Sequence, residues 1–568
     1  MNLEEIKETE TWSLYQKGKK FLDLRDLYSR SDKNFRFYIG DQWNGLKLSK
    51  SVEPICYNFI KQIVKQKVSV VTKNLFAINY SPENIENEEF AMSAQEVCKV
   101  LNKKASNVYD KDKLDSKVRR WARKSAIYGE AICHIYLDDN DDIVNEVLNN
   151  TDVMYGDENC SDIQKQPYIL IRTREDLSDV IKLAKDNNLS QEDIELITGD
   201  KDTQDSAGDD GKIELNDKTW LITKYWREED GDIHYQQVTR YVTIVEDEDM
   251  GVDKYPLAHM NWEDVEGNAR GMGEVEQHIP NQLECNKTAL RRAITIKNTA
   301  YPQKVVNADA IQNIGDVNKT GSTIKFRDMG STRASDVFMN TTPAQMSSDA
   351  NNFQTELINV TKELSNTGDS TTGNIDPSTA SGKAILAVQQ AQTQPLDDQV
   401  IALKTFLEDI ARIWFMFWKN KRKDIKIYYL EKNEMTNEEN YVMLEADKNT
   451  LEKLNTSVKV DITPRGAFDK YAQELSLENM MTAGHISFEE YVNSLDTDSV
   501  MPKAKLEKIM RDRKEKQQQI ADIQRQADLL KQVANAEQND AQNLSNVITQ
   551  GQMLSQNALA QENQPMSA

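Results

Sequence analysis

The sequence predicts an α+β chain, mainly helical, whose strands fall in separate blocks between long helices. Three observations carry this. Apolar residues recur at steps of three and four over long stretches, most clearly Leu396, Val400, Leu403, Leu407, Ile410, Trp414 and Phe417. β-branched and aromatic runs bounded by turn residues interrupt the helical pattern, as at Trp220–Trp226. The 568 residues suffice for roughly three or four units of about 150 residues each.

Taken in order, the first hundred residues predict helices. Leu14, Phe21, Leu22, Leu24 and Leu27 lie near helical spacing and precede the aromatic stretch Phe35 to Trp43. Asn58, Ile60, Ile63, Val64 and Val68 define a second helix. Trp121 to Ala131 predicts a helix passing into a strand at Ile132–Leu137, followed by an acidic turn at Asp138–Asp142. Trp220–Trp226 and Ile233–Val245 flank the turn residues Glu229-Asp230-Gly231-Asp232, which predicts a hairpin. Gly273 to Ala300 predicts a helix ended by Pro302, with Leu283, Leu290, Ala293, Ile294 and Lys297 on one side. Residues 303–342 form a mixed segment with a strand-like piece at Thr323–Phe326. Phe353, Leu357, Val360 and Leu364 then predict a helix from about Ala344 to Leu364.

The polar stretch 366–382 is rich in Gly, Ser and Thr and predicts a mobile loop. The long apolar stripe after it predicts a helix packed into a core. Pro395 is expected to kink or restart it, and Lys419 to Lys423 suit its C-terminal end. Strand-like pieces return at Ile425–Leu430, Tyr441–Leu444 and Val458–Ile462, and after Pro464 the pattern is helical to about Arg513. The last fifty or so residues are rich in Gln, Asn and Ala, which is compatible with a marginal helix or with disorder.

Composition narrows the class. There is no run of ~20 apolar residues to span a membrane, and the acidic start Met1–Glu5 predicts no secretory signal. Five scattered cysteines, Cys56, Cys98, Cys133, Cys160 and Cys285, lack any CxxC spacing and predict free, mostly buried thiols. The net charge of −23, from 70 Lys and Arg against 93 Asp and Glu, opposes tight gripping of nucleic acid, which needs cations against phosphate.

Catalytic and ligand motifs fail on inspection. Gly373 and Gly382-Lys383 have eight residues between the glycines, where a phosphate loop needs four, and Ala384 follows the lysine. The loop beginning at Asp200 has Asp205 and Gly211 where a calcium-binding EF-hand needs Gly and Glu. His134, His234, His259, His278 and His485 never fall at metal-ligand spacing. No enzyme and no cofactor is expected.

Several short stretches, in their order, resemble the portal proteins of tailed bacteriophages. They are Phe37–Trp43, Tyr57-Asn58-Phe59-Ile60 before an apolar helix, Tyr128-Gly129-Glu130-Ala131 leading into a strand, and Gly271-Met272-Gly273 through Ile279–Leu283 to Asn286. The resemblance implies a portal fold with wing, stem, clip and crown regions assembling into a ring, in form a dodecamer. Residues 1–272 and 422–464 would build the wing, with 383–421 its long helix. Residues 273–302 and 343–365 would be the stem helices, 303–342 the clip, 465–514 a helical crown and 515–568 a C-terminal tail.

The resemblance also implies roles. The tunnel loop 366–382 would meet DNA through Asn366, Thr367, Gly368, Asp369, Ser370, Thr371, Gly373, Asp376 and Ser378. On the first stem helix, Glu274, Glu276 and Glu284 suit an acidic channel that repels phosphate. Lys287, Arg291, Arg292 and Lys297 would either face the DNA or pair with a neighbouring subunit. In the clip, Lys325, Arg327 and Arg333 suit an acidic partner surface. Implied partners are double-stranded DNA, the terminase large subunit, major capsid and scaffolding proteins, and head-completion adaptors, in the virion after assembly in the host cytoplasm. A capsid or baseplate protein without a channel, an envelope-associated adaptor and an enzyme are the alternatives.

Overall fold

Leu75 to Glu83 pairs antiparallel with Asn455 to Thr463, with Leu75 opposite Thr463 and Glu83 opposite Asn455. This ladder ties the first hundred residues to a segment nearly four hundred positions later. The computed structural model describes residues 7–45, 53–73, 75–83, 88–199 (except 139), 218–300, 304–327 (except 318 and 320), 333, 338–340, 348–365, 394–420, 425–432, 439–463 and 476–495, with short pieces between 505 and 553. Two compact units divide the chain, Met1–Thr463 and Pro464–Ala568.

The first unit begins with α1 (Glu10–Leu24), α2 (Leu27–Ile39) and α3 (Phe59–Val71), followed by β1 (Leu75–Glu83). α4 (Glu88–Lys111) and α5 (Leu114–Tyr128) lead into β2 (Glu130–Leu137), β3 (Ile143–Leu148), β4 (Val153–Tyr155) and β5 (Tyr168–Asp176). After α6 (Leu177–Asp186) and α7 (Gln191–Leu196) come β6 (Lys218–Arg227), β7 (Ile233–Val238), β8 (Thr243–Asp249) and β9 (Leu257–Asn261). α8 (Glu274–Ala300), β10 (Lys304–Val306), β11 (Phe338–Asn340), α9 (Ser348–Leu364) and α10 (Asp397–Asn420) follow. β12 (Ile425–Lys432), β13 (Glu439–Ala446), α11 (Lys448–Lys453) and β14 (Asn455–Thr463), the partner of β1, close the unit. In the second unit, α12 (Phe488–Ser494) starts with a capping box between Ser487 and Glu490. It forms a small core of Tyr491, Val492 and Leu495.

Two sheets dominate the first unit, a three-stranded one in the order β3-β2-β9 and a five-stranded one in the order β4-β5-β6-β7-β8. Period-two alternation is visible in β6: Trp220 and Ile222 join a core with Trp12, Tyr15 and Leu22 of α1, while Leu221 joins one with Val180 and Ala184 of α6. The five-stranded sheet is therefore covered on both faces. The largest core gathers around α10, whose Leu403, Leu407, Ile410 and Trp414 are fully buried. The Trp121 ring of α5 meets Phe406 edge-on at 5.2 Å. Trp414 Nε1 donates to Asn145 Oδ1 (2.8 Å), so even the polar atom of this indole is satisfied.

Several expectations need correction. The helix expected to run to Ala131 ends at Tyr128, because Gly129 takes a left-handed conformation (φ +98°) and Glu130 already pairs in β2. The run Ile233–Val245 is two strands, broken where the Thr239 amide donates to Val242 O. Thr323–Phe326 is not a strand, since Phe326 makes only an isolated bridge to Ile311. β1 lies in the stretch expected to be helical throughout. Pro395 sits in a 3₁₀ turn (Gln394–Leu396) and the helix restarts at Asp397. Cys98, Cys133 and Cys285 are free and buried, while Cys56 is exposed. No helix among the described residues is long and apolar enough to cross a membrane.

Candidate functional site: a buried polar ladder at the root of a helix pair

Glu274, His278, Gln282 and Asn286 recur at every fourth position of α8, and all four are buried. Residues four apart stack on one helix face, so this helix turns polar atoms toward the interior. Such atoms stay there only when paired; Glu274, Gln282 and Asn286 find partners in other segments, while His278 pairs with Glu274 on the same helix. Asn286 Nδ2 donates to Gln42 Oε1, and its Oδ1 accepts from the Tyr57 amide at 3.0 Å. Gln42 in turn donates to Phe37 O (2.8 Å).

Gln282 Oε1 accepts from the amides of Phe59 and Ile60 (3.1 and 3.3 Å), and its Nε2 donates to Tyr57 O (2.6 Å). These amides belong to the first turn of α3, which has no helical acceptors of its own. Asn58 caps the same turn by accepting from Lys61 N at 3.1 Å. Glu274 pairs with Lys67 Nζ (2.6 Å) and with His278 Nε2 (2.8 Å), and it accepts from Trp262 Nε1 (3.3 Å). Burial opposes its ionisation, but the His278 hydrogen bond and Lys67 outweigh burial and hold the carboxyl below its usual value.

Below the ladder, the turn after α5 presses on the turn before α8. A Cβ on Gly129 would lie 2.3 Å from Gly271 O, and one on Gly271 would lie 2.7 Å from Gly129 O. Only glycine permits this approach. Beside it, Arg270 is buried and fully engaged. It pairs with Glu130 (2.6 Å) and Glu158 (2.9 Å), donates to Asn150 O and Val153 O (2.9 and 2.8 Å), and lies over the Tyr155 ring at 4.8 Å. Glu130 also meets His259 at 3.1 Å. Burial again opposes ionisation, while Arg270 and His259 hold Glu130 below its ordinary value.

Both carboxyls are depressed in the fold, so the folded chain binds fewer protons than the unfolded chain in acid. Their stabilisation is present above the unfolded value of about 4.3 and disappears as pH falls through the folded values. The urea midpoint is therefore expected to fall between about pH 5 and pH 3, and to fall less steeply in Glu274→Gln. Equal pH slopes in the two proteins would contradict this.

Above the ladder, α8 packs on α9. Asn281 Nδ2 donates to Thr361 Oγ1 (3.1 Å), and Gln354 faces Cys285. The inward side of α9 is polar, with Gln354, Thr361 and Ser365 buried. Its apolar stripe points the other way: Phe353, Val360 and Leu364 are 47%, 40% and 70% exposed. Near the far end of α8, Ile296 is 59% exposed.

The expected site residues fall in three places. Glu274 is not a surface acid, because the ladder binds it inside its own subunit at 3% exposure. Glu276 is half-buried, 4.0 Å from Arg30, and Glu284 pairs with exposed Arg291 at 2.9 Å. Lys287 is half-buried, while Arg292 and Lys297 are exposed. Lys325, Arg327 and Arg333 are all exposed. Ile311 and Val317 form a small core beneath this segment. Residues 366–393, and with them Asn366, Thr367, Gly368, Asp369, Ser370, Thr371, Gly373, Asp376 and Ser378, lie outside the described residues. The ladder itself was not anticipated. Its signal is the spacing of Glu274, His278, Gln282 and Asn286, a polar stripe where an amphipathic helix should turn apolar residues inward.

Glu274, Gln282 and Asn286 join α8 to α3, to the segment after α2 and to Trp262 after β9, which anchors the α8–α9 helix pair at this end. The family model for phage P22-like portal proteins matches residues 24–563, nearly the whole chain, and the chain belongs to that family. A portal role in the phage capsid follows from membership. Among curated proteins, no sequence matches the chain.

Proposed function

We propose that the chain is one subunit of a ring, dodecameric in form, set at one capsid vertex, through whose axial channel double-stranded DNA is packaged and later ejected. The observation that carries this reading is the exposed apolar stripe of α9. Its buried residues Gln354 and Thr361 are polar, while Phe353, Val360 and Leu364 stand exposed in line among Asn352, Glu356, Asn359 and Glu363, which leaves an apolar stripe for a neighbouring subunit. In this reading α8 and α9 are the stem, 303–342 the clip and 366–382 the tunnel loop. Glu276, Glu284, Lys287, Arg291 and Lys297 lie along the channel or between subunits. The loop residues follow the moving duplex. Lys325, Arg327 and Arg333 of the clip meet an acidic surface of the terminase large subunit during packaging and of head-completion adaptors afterwards. Major capsid and scaffolding proteins seat the wing.

Electron microscopy of the purified chain tests the reading. Class averages down the particle axis are expected to have a central hole wide enough for a duplex. Closed particles without a channel would instead favour a capsid or baseplate component that handles no DNA. Phe353→Ser with Leu364→Ser is expected to weaken each subunit contact by about 2–3 kcal/mol, since Phe353 and Leu364, 47% and 70% exposed, remain to be covered. The unassembled subunit should keep its melting temperature, and sedimentation velocity reads the loss of rings. Rings as stable as the parent's would remove the stripe from the interface.

A further inference from the structure

α5 divides its cations between two faces. Leu114, Val118, Trp121, Ala122 and Ser125 face the core. Lys117 donates to Asn145 O (2.6 Å) and Lys124 to Leu148 O (3.1 Å), so both are held against β3. Arg119, Arg120 and Arg123 project outward and are exposed, and no carboxylate or hydrogen-bond acceptor meets any of them among the described residues. Elsewhere Arg36, Arg172, Arg240, Arg270, Arg291 and Arg412 each have a carboxylate. A chain with 93 acidic residues against 70 basic ones has carboxylates in excess, yet three exposed arginines within five residues of this helix have no carboxylate partner among the described residues. Arg119 and Arg123, four apart, also repel each other along the helix. Burial first, with Arg120 adding, brings the Lys124 ammonium down to about 8.

The complementary surface lies on the other sheet. β8 is its edge strand, and Glu246, Asp247, Glu248 and Asp249 are exposed along it. Asp247 pairs with His234 (2.6 Å) and Glu248 accepts from Tyr235 (2.6 Å), but no Lys or Arg neutralises the strand among the described residues. Glu228, Glu229 and Asp230, in the turn between β6 and β7, are likewise exposed. Within one subunit no ion pair joins this edge to the arginines. A ring contact is made by two different patches of the same chain, and opposite charges set its register.

We propose that the ridge of Arg119, Arg120 and Arg123 docks on the acidic β8 edge, Glu246 to Asp249, of the next copy of this chain. The inference rests on the ring reading above. It assigns the lateral wing contact to charge and leaves the apolar contact to the stem.

Two charge-reversed full-length chains test it, Arg119→Glu/Arg120→Glu/Arg123→Glu and Glu246→Lys/Asp247→Lys/Glu248→Lys, each verified as folded by circular dichroism. Native mass spectrometry and sedimentation velocity at low salt read the assembly. Each variant alone is expected to need at least tenfold more protein than the parent to form rings. An equimolar mixture is expected to recover rings of alternating subunits, because every contact in them is again between opposite charges. Arginine-reversed chains that assemble like the parent, or a mixture that stays apart, would overturn the proposal. Normal assembly of that variant with loss of salt-sensitive DNA binding would overturn it in favour of a phosphate-facing ridge. A parent chain that forms no ring at all would remove the ring reading itself, a result distinct from any of these.

Discussion

Arg270→Ala is expected to lower unfolding stability by about 3–5 kcal/mol, because it leaves two carboxylates near the root without their cation. Glu130 is fully enclosed, and Glu158 lies on the other side of the guanidinium. The two backbone carbonyls of Asn150 and Val153 lose their donor at the same time. Arg270→Lys should recover less than half of the loss, since one ammonium cannot reproduce a planar fork that serves four acceptors. The deficit has a pH signature. Without Arg270, burial pushes Glu130 upward, it takes up a proton, and the gap from the parent narrows as pH falls toward 4. Urea unfolding at pH 7 and pH 4.5 measures this. A variant as stable as the parent at pH 7 would show that the network is ornamental.

Gly129→Ala is expected to have the largest effect of any added methyl group at the described glycines, about 4 kcal/mol or more. The added Cβ would meet Gly271 O at 2.3 Å, and the φ of +98° disfavours any side chain. Gly231 supplies a matched control. Its φ is also +98°, but a Cβ there would meet nothing within 4 Å. Gly231→Ala therefore isolates the backbone strain, about 1–3 kcal/mol, and the difference between the two variants measures the close approach. Scanning fluorimetry and soluble yield are the readouts. Equal losses in the two variants would mean that the contact between the two turns contributes nothing.

The sequence revealed the helices better than the strands, for physical reasons visible in particular residues. The α10 stripe repeats over seven positions, and nearly all of it is buried in the main core, so periodicity alone located it. β1 was passed over because Leu75–Glu83 sits among helical segments and finds its partner only at Asn455–Thr463. Its signal is the alternation of Phe76, Ile78 and Tyr80, all buried, with exposed Ala77 and Asn79. The α9 stripe was legible as a helix but gave no indication of which side it faced. Periodicity reports that an apolar face exists and is silent on whether its own subunit or another covers it. The four short motifs behaved differently. Phe37–Trp43, Tyr57–Ile60, Tyr128–Ala131 and Gly271–Asn286 are far apart in sequence, yet all meet at the root of α8 through Gln42, Tyr57, Gly129 and Gly271. They are joints of the scaffold, and the residues that would face DNA lie elsewhere.

The β1–β14 ladder also sets a clock on synthesis. Its last pair, Leu75 with Thr463, joins positions 388 apart. At roughly 5–20 residues per second, the ribosome delivers Thr463 about 20–80 seconds after Leu75. Until then β1 has no partner strand, and the first unit cannot close. Nascent chains crowded on one message therefore stay unable to lock together through a finished first unit until almost the whole of each has been made. The distant pairing thus delays closure of the first unit until Thr463 has been made.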